Sequence, residues 1–185
     1  MILSREEDMN NNTFVHKYIR SLIDKDDVTV DMTAGNGNDT LFLSRLSKKV
    51  YAFDIAEEAI RNTREKTKDC DNVMLIKDSH ANIDNYIREK VRLFIFNLGY
   101  LPKAEESSVT KADVTLEAFK KASNLLEENG YIVITFYLGQ HGGLDEYYLL
   151  SDYINKNRFQ IIETYRQDKL LSPVTMMIRK ISQAH

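Results

Sequence analysis

Short apolar runs alternate with segments of helical periodicity along most of the chain. The runs are rich in β-branched and aromatic residues and predict strands at 28–30, 49–54, 73–77, 92–97, 131–137, 159–165 and 174–180. Apolar residues at helical spacing predict helices at 13–23, from about 38, and at 57–69, 82–89, 111–128 and 146–155. Strands that alternate with helices favour a parallel sheet, whereas the final two strands lack a helix between them. The pattern therefore predicts an α/β fold with a mostly parallel, doubly wound, seven-stranded sheet that ends in a C-terminal antiparallel hairpin.

The segment 28–40 joins the first predicted strand to a helix through a glycine-containing turn, Asp-Met-Thr-Ala-Gly-Asn-Gly-Asn-Asp-Thr. Gly35 and Gly37 allow a sharp turn and a close approach to a ligand, because neither carries a Cβ atom. A helix start of this kind presents backbone N–H groups to that ligand. A dinucleotide fingerprint would require a third glycine at position 40, which is Thr40. The loop therefore does not match a dinucleotide site.

Acidic residues follow the first two strands, at Asp31 and Asp54. Adenosylmethionine has no pyrophosphate but carries an ammonium and a sulfonium, so an acid such as Asp31 near them is favourable. Asp54 stands where the ribose hydroxyls of a nucleoside need an acceptor. An isolated Gly-x-Gly is typical of an ordinary turn, but the two acids together indicate a nucleoside-type cofactor. Asp78, Ser79 and His80 end the third strand and are expected over the adenine, although His80 is equally explained as a capping or surface residue.

The strand at 92–97 is followed by Asn97-Leu-Gly-Tyr100. Methyl transfer from a sulfonium depends mainly on holding the nucleophile in line with the methyl carbon. Asn97 offers a carbonyl that can hold the hydrogens of an amine, and Tyr100 a ring that can stack on a base. The run resembles the Asn-Pro-Pro-Tyr loop of amino-directed nucleic-acid methyltransferases, with both prolines replaced. The polar segment 103–110 that follows is expected to form a mobile lid.

Composition narrows the function classes. The 185 residues are 43% hydrophobic and 29% charged, which predicts one soluble domain over 1–185 with a frayed start at 1–12. No apolar run approaches ~20 residues, so no membrane span is expected, and the single Cys70 favours the cytoplasm. A net charge of −3 argues against an extensive phosphate footprint but leaves room for a local basic patch, with Arg166 and Lys169 among the candidates. No metal-binding motif is found in the sequence, and neither His16 nor His185 is assigned a role.

Five segments together resemble a known family, namely 31–43, 51–55, 79–80, 96–102 and 137–146. They are similar to small class I adenosylmethionine-dependent methyltransferases often labelled as rRNA methylases. The similarity is greatest to the Gram-positive bacterial enzymes that methylate 5-aminomethyl-2-thiouridine at the tRNA wobble position. The resemblance implies a Rossmann-like class I fold, S-adenosyl-L-methionine as cofactor and the tRNA anticodon region as partner. It leaves open whether the chain forms a homodimer.

The resemblance and the strand-end argument together assign the site. The cofactor-binding residues are expected to be Asp31, Gly35, Asn36, Gly37, Asn38, Asp54, Ala56, Asp78, Ser79 and His80. Asn97 and Tyr100 are the expected catalytic residues, and substrate binding is expected at Tyr137, Gln140, His141 and Gly142. Relatives frequently have a histidine at position 38 and a glutamine at 56. They commonly read Gly-His-Pro-Gly-Gly where this chain has Gly-Gln-His-Gly-Gly at 139–143.

The resulting hypothesis is an N-methyltransferase that converts the wobble aminomethyl group to a methylaminomethyl group during tRNA modification. One alternative is methylation of an rRNA base or of a small amine by the same fold. An alternative of another class is a non-catalytic module that binds the cofactor and RNA. The run from Asn97 to Tyr100 argues against that last alternative, because a pure binding module needs no loop that orients an amine.

Overall fold

The computed structural model describes residues 11–99 and 112–181, and in these residues seven strands form one sheet. The strands are β1 (Val28–Asp31), β2 (Lys49–Asp54), β3 (Val73–Lys77), β4 (Val91–Asn97), β5 (Leu126–Phe136), β6 (Phe159–Arg166) and β7 (Val174–Lys180). The helices are α1 (Asn11–Ile19), α2 (Asn38–Ser44), α3 (Glu57–Lys66), α4 (Ala112–Leu125) and α5 (Gly143–Lys156), with a 3₁₀ segment at His80–Asn85.

The strand order is β3-β2-β1-β4-β5-β7-β6, so the order reverses between β1 and β4. β1 to β5 are parallel to one another, and β7 runs antiparallel to both β5 and β6. This topology confirms the predicted doubly wound sheet with a C-terminal antiparallel hairpin. In open sheets of this kind, ligands bind beyond the carboxyl ends of the strands at the point of reversal.

Both faces of the central strands are covered, which explains why β4 is so strongly apolar. Phe94 and Phe96 pack with Phe119 of α4 on one face. Leu93 and Ile95, which alternate with them along β4, pack with residues of α1 and α2 on the other face. All four of these β4 side chains are at most 2% exposed. The strand that ends at Asn97 is therefore held firmly on both sides.

Several predicted boundaries were wrong. The first helix already includes Asn11 and Asn12, which were expected to be frayed, and it ends at Ile19. The helix expected at 57–69 ends at Lys66, and α5 begins three residues before the predicted start. A helix was expected at 82–89, but the structure has only a 3₁₀ segment at His80–Asn85. Non-helical backbone angles at Asn82 interrupt this segment.

The end of α4 differs most from its prediction. The expected helix to residue 128 stops at Leu125, because Leu126 pairs with Val91 of β4. The ladder is then irregular, and it resumes at the pair of Leu93 with Tyr131. The left-handed turn between these pairs falls on Asn129, with φ 60°.

Two further expectations concern the chain outside the sheet. Tyr100 and the lid expected at 103–110 lie outside the described residues. Across 11–99 and 112–181, no helix is long and apolar enough to cross a membrane.

Candidate active site

The loop after β1 is anchored to both neighbouring strands. The backbone N–H of Met32 donates to the carbonyl of Ile95 in β4 at 2.9 Å, and that of Ala34 donates to Phe53 in β2 at 2.8 Å. The chain then turns at Gly35 and Gly37, whose φ angles are +53° and +73°. These left-handed conformations suit glycine because it lacks a Cβ atom. The predicted glycine loop thus lies at the point where the strand order reverses.

Asp54 at the end of β2 is bonded to this loop. One carboxylate oxygen accepts from the backbone N–H of Gly35 at 2.9 Å, and the other accepts from that of Ala56 at 2.9 Å. Each carboxylate oxygen has a second lone pair available. Asp54 is also partly exposed, so the carboxylate can accept two further hydrogen bonds from neighbouring hydroxyls. This geometry suits the predicted ribose contact.

Asp31 is fully buried and bonds within its own loop. One carboxylate oxygen accepts from the Thr40 hydroxyl at 2.6 Å, and the other from the backbone N–H of Thr33 at 3.1 Å. Burial, and after it the nearby charge of Asp39, raises the pKa of Asp31 to about 7. Thr40, the residue that excludes the dinucleotide pattern, therefore holds Asp31 in place. The expected contact of Asp31 with a cofactor stays a prediction.

The third strand end contributes one buried histidine. His80 is 8% exposed, and its Nδ1 lies 3.0 Å from the Met32 carbonyl oxygen. A carbonyl only accepts, so Nδ1 carries the proton and donates. Burial lowers the pKa of His80, which keeps the ring neutral and makes Nε2 an acceptor. Within the described ranges Nε2 has no partner, so the alternative of a surface histidine is wrong and a buried acceptor remains for a ligand.

Asp78 and Ser79 shape the turn that carries His80. Asp78 accepts from the Asn82 side chain at 2.9 Å and from the Tyr86 hydroxyl at 2.8 Å, and these bonds hold the pKa of Asp78 below its usual range. The Ser79 hydroxyl accepts from the backbone N–H of Ala81 at 3.2 Å as a cap. Both side chains thus have structural bonds here, and their contacts with a cofactor stay predictions.

Asn36 and Asn38 are exposed and connect the glycine loop to α3. The Asn36 side-chain oxygen accepts from Asn62 at 3.2 Å, and that of Asn38 accepts from Lys66. Ala56 precedes the first residue of α3 and contributes its backbone N–H to Asp54. The structure therefore places Asn36 and Asn38 in the loop and Ala56 beside it, and their contacts with a cofactor stay predictions.

Asn97 ends β4 next to the glycine loop, as predicted. Its backbone N–H donates to the Thr33 hydroxyl at 2.9 Å, and its side-chain Nδ2 donates to Oδ2 of Asp39 at 3.2 Å. Its side-chain Oδ1 is buried and has no hydrogen-bond partner in the part of the chain that the structure describes. An unpaired buried carbonyl costs free energy unless a ligand pairs it. Asn97 thus offers the acceptor that the predicted amine contact requires.

Tyr137 follows β5 and is brought against Asn97. Burial, and after it the charge of Asp39, raises the pKa of Tyr137, while the neighbouring Asn97 side chain opposes this shift. The ring also packs on Gly99, where an added Cβ atom would lie 3.0 Å from it. Tyr137 therefore belongs to the same cluster as Asn97.

The remaining predicted substrate residues form the turn after Tyr137. The backbone N–H of Gln140 donates to the Tyr137 carbonyl at 2.9 Å, and Gly142 precedes α5 with φ 79°. His141 is exposed. Gly143 is required here as well, because a Cβ atom at this position would lie 2.1 Å from the Tyr137 carbonyl oxygen. These residues border the site, and their substrate contacts stay predictions.

Sequence reasoning missed His16 and Asp39, which form a cluster with Asn97 and Tyr137. Nε2 of His16 lies 2.7 Å from Oδ1 of Asp39, and the His16 ring stacks on Phe42 with centroids 3.8 Å apart. Asp39 is in the first turn of α2, directly before Thr40. His16 was assigned no role because only the packing of α1 against α2 brings it to the site. The signal available for Asp39 was its place in the glycine loop.

The chain is similar to several known proteins. A family model described as "Putative rRNA methylase" matches residues 50–180. The chain is 36% identical, over 149 residues, to the chloroplastic "tRNA (mnm(5)s(2)U34)-methyltransferase" of Arabidopsis thaliana. That alignment covers 71% of this chain and 54% of the plant protein, so the chain spans about half the length of this curated relative.

Two solved structures match over almost their whole length. A "putative rRNA-methylase" from Clostridium thermocellum has 35% identity and a TM-score of 0.86, covering 94% of this chain and 98% of its own. A "putative methyltransferase" from Streptococcus mutans, solved in complex with SAH, has 37% identity and a TM-score of 0.85, covering 94% of this chain and 99% of its own. These likenesses confirm the predicted class I methyltransferase fold. The chain therefore belongs to the rRNA methylase family.

Proposed function

We propose that this chain is an S-adenosyl-L-methionine-dependent N-methyltransferase. Its substrate is the aminomethyl group of 5-aminomethyl-2-thiouridine at the tRNA wobble position, and its product is the methylaminomethyl group. The observation that carries the proposal is the buried Oδ1 of Asn97 beside the glycine loop, which has no hydrogen-bond partner among the described residues. Membership of the rRNA methylase family and the activity for which the plant relative is named support it.

The residues at the strand ends fit S-adenosyl-L-methionine. Asp54 has lone pairs for two ribose hydroxyls. Nε2 of His80, which no residue of 11–99 or 112–181 pairs, is an acceptor for a donor on the ligand. The charges of Asp39 and Asp54 both act on Asp31, so three carboxylates surround the loop. An electronegative site of this kind favours a ligand that carries ammonium and sulfonium groups. When bound, the cofactor supplies an electrophilic methyl group.

Asn97 holds the nucleophile. A primary amine attacks only in its neutral form, because the lone pair must be free. The Asn97 carbonyl accepts one N–H of that amine, which fixes the nitrogen and aims its lone pair away from the accepted hydrogen. A neutral amide acceptor does this without favouring the protonated ammonium, as a carboxylate would. Orientation of this kind accounts for a large part of the rate of a displacement reaction.

The tRNA anticodon region is the proposed partner, in the cytoplasm. β6 is parallel to β5, so the loop after Arg166 lies at the same edge of the sheet as Asn97. A surface depression of about 470 Å³ is lined by residues 166–170, which include Arg166 and Lys169. The loop at Gly139 lies beside Leu171, since an added Cβ atom would be 3.6 Å from the Leu171 Cβ. Basic side chains near the site suit the phosphates of a single-stranded loop.

Mass spectrometry of tRNA nucleosides tests the proposal. Cells that lack the protein are expected to accumulate 5-aminomethyl-2-thiouridine and to lose the methylaminomethyl product. Restoring the wild-type chain should reverse both changes. An unchanged nucleoside profile, with the aminomethyl nucleoside absent in both strains, would contradict the proposed substrate.

A further inference from the structure

The Asn97 side chain has two ends of the same shape and opposite hydrogen-bonding character. Its carbonyl oxygen accepts, and its NH₂ group donates. A rotation of the amide by half a turn would present the NH₂ group to an amine in place of the oxygen. The amine contact in the proposed function therefore requires something that distinguishes the two ends.

Asp39 makes that distinction. An ionised carboxylate only accepts hydrogen bonds, so the end of Asn97 that faces Oδ2 of Asp39 at 3.2 Å must be the NH₂ group. The oxygen is then directed elsewhere, and it is the atom left without a partner in the described chain. The Asp39 side chain is 13% exposed, so water competes little for this bond.

His16 holds Asp39 from the other side. Its Nε2 lies 2.7 Å from Oδ1, so the two carboxylate oxygens have separate protein partners. The His16 ring stacks on Phe42 with an interplanar angle of 1°, which fixes its plane. The contact joins α1 to α2 across a separation of 23 residues. The arrangement is a chain of three side chains, His16, Asp39 and Asn97, that ends at Oδ1 of Asn97.

We infer that Asp39 and His16 are positioning residues, which set the Asn97 amide with its oxygen toward the methyl-accepting amine. The inference rests on the proposed function, since it supplies the orientation that the amine contact needs. Neither residue is required to touch the cofactor or the substrate. Their removal should therefore reduce the rate of transfer, and any change in cofactor affinity should be small and limited to the loss of the Asp39 charge.

A double-mutant cycle tests this in single-turnover methylation of tRNA that carries the aminomethyl group. Asp39→Ala alone should slow transfer at least roughly tenfold, because a misplaced attacking group is costly. In the Asn97→Ala background the same change should add no further loss, since Asp39 acts only through Asn97. Losses that multiply in the double variant would overturn the inference. Asp152→Asn, an exposed carboxylate paired with Lys156 on α5, is the control and should match wild type.

His16 provides a second pair of variants that does not depend on the folding of Asp39→Ala. His16→Phe keeps a ring against Phe42 and removes the N–H donor, whereas His16→Gln keeps a donor for Asp39. Transfer by the glutamine variant should exceed that by the phenylalanine variant, with equal cofactor binding in calorimetry. Equal rates in both, at the wild-type level, would overturn the inference.

The side-chain NH₂ signal of Asn97 in ¹⁵N NMR spectra reports on the same contact without any turnover. It should shift in His16→Phe and stay near its wild-type position in His16→Gln; no shift in His16→Phe would count against the inference. The proposed function and the positioning role can fail independently of each other. A wild-type protein that methylates no aminomethyl nucleoside contradicts the proposed function, while an active wild type with unaffected variants contradicts only the positioning role.

Discussion

Gly37 faces the Cα atom of Thr63 so closely that a Cβ atom at position 37 would lie 2.8 Å from it. The contact is between the glycine loop and the backbone of α3, which cannot move aside as the end of a flexible side chain can. The Thr63 hydroxyl also donates to the Gly35 carbonyl at 3.2 Å. The second glycine of the loop is therefore required for packing on α3. Gly35 has more room, with 3.8 Å to the nearest atom.

Gly37→Ala should destabilise the fold by about 3 kcal/mol. Overpacking against Thr63 contributes roughly 1–3 kcal/mol and the left-handed φ of +73° roughly 1–2 kcal/mol. Gly142→Ala is a matched control, because Gly142 has φ +79° but no atom of residues 11–99 and 112–181 lies within 4 Å of an added Cβ. Urea unfolding of both variants separates the two contributions. Equal losses would show that the contact with Thr63 does not matter.

Asp54→Ala should weaken binding of S-adenosyl-L-methionine by about 1.5–3 kcal/mol, which is roughly 10- to 150-fold. The carboxylate can accept ribose hydroxyls while it holds Gly35 and Ala56, and alanine can do neither. Isothermal titration calorimetry measures the change. Glu57→Ala, which removes an exposed carboxylate paired with Lys77, is the control. A folded Asp54→Ala protein with wild-type affinity would remove Asp54 from the cofactor site.

Glu146 predicts a pH dependence of stability. It is 3% exposed, and burial raises its pKa from 4.5 to about 7, while its Oε1 accepts from the Thr115 hydroxyl at 2.7 Å. The folded state therefore holds a proton that the unfolded state releases. The stability that the protonated Glu146 contributes is fully present below pH 4.5. It is lost as the pH rises toward about 7.

Glu146→Gln should remove that loss, because the amide oxygen can still accept from Thr115 and carries no charge. At pH 8 the variant should exceed wild type by about 3 kcal/mol in the free energy of unfolding, and at pH 4 the difference should vanish. Denaturant unfolding across pH measures both. Asp145→Asn, an exposed neighbour in the first turn of α5, should show no such trend. A pH-independent difference for Glu146→Gln would contradict the assignment.

The sheet and its order of elements could be predicted because apolar runs and helical periodicity are local properties of the chain. β2, β3 and β7 have the predicted bounds. The end of α4 could not be predicted in this way, because the pairing of Leu126 with Val91 depends on a strand 35 positions earlier in the chain. Local helix signals continue past Leu125 and are overridden by that ladder.

The site residues also divide into those that local sequence patterns indicate and those that only the folded chain brings together. Asp54 and Asn97 end strands and His80 comes shortly after one, so the rule that ligands lie at the carboxyl ends of strands identified them. His16 lies on α1 and reaches the cluster only through Asp39, which no spacing rule indicates. Asp31 was identified as an acid at a strand end, but its bonds to Thr33 and Thr40 could be known only from the folded loop.

Lys169→Ala should weaken tRNA binding and reduce the salt dependence of log affinity by about 0.7, the value for one contact to a single-stranded phosphate. The net charge of −3 implies that few phosphates are contacted, so the wild-type slope should be shallow. Binding over a salt series measures both. Lys25→Ala, which removes an exposed lysine between α1 and β1, should leave the slope unchanged. A steep wild-type slope that Lys169→Ala does not alter would contradict the proposed contact between Lys169 and a tRNA phosphate.

The amine contact of Asn97 has a distinctive pH signature. Asn97→Asp keeps an acceptor but adds a negative charge, which favours the protonated amine that has no lone pair for attack. Its transfer rate should therefore recover as the pH rises, whereas that of Asn97→Ala should stay low. Parallel pH profiles for the two variants would contradict the contact.

The most direct test is the single-turnover rate of methyl transfer by Asn97→Ala to tRNA carrying 5-aminomethyl-2-thiouridine. If Oδ1 of Asn97 orients the amine, transfer should fall at least ~10²-fold, because a small misplacement of an attacking group can cost that much. Affinity for S-adenosyl-L-methionine, measured on the same preparation, should stay close to that of wild type. A folded, cofactor-bound Asn97→Ala protein that transfers methyl groups at the wild-type rate would contradict the account.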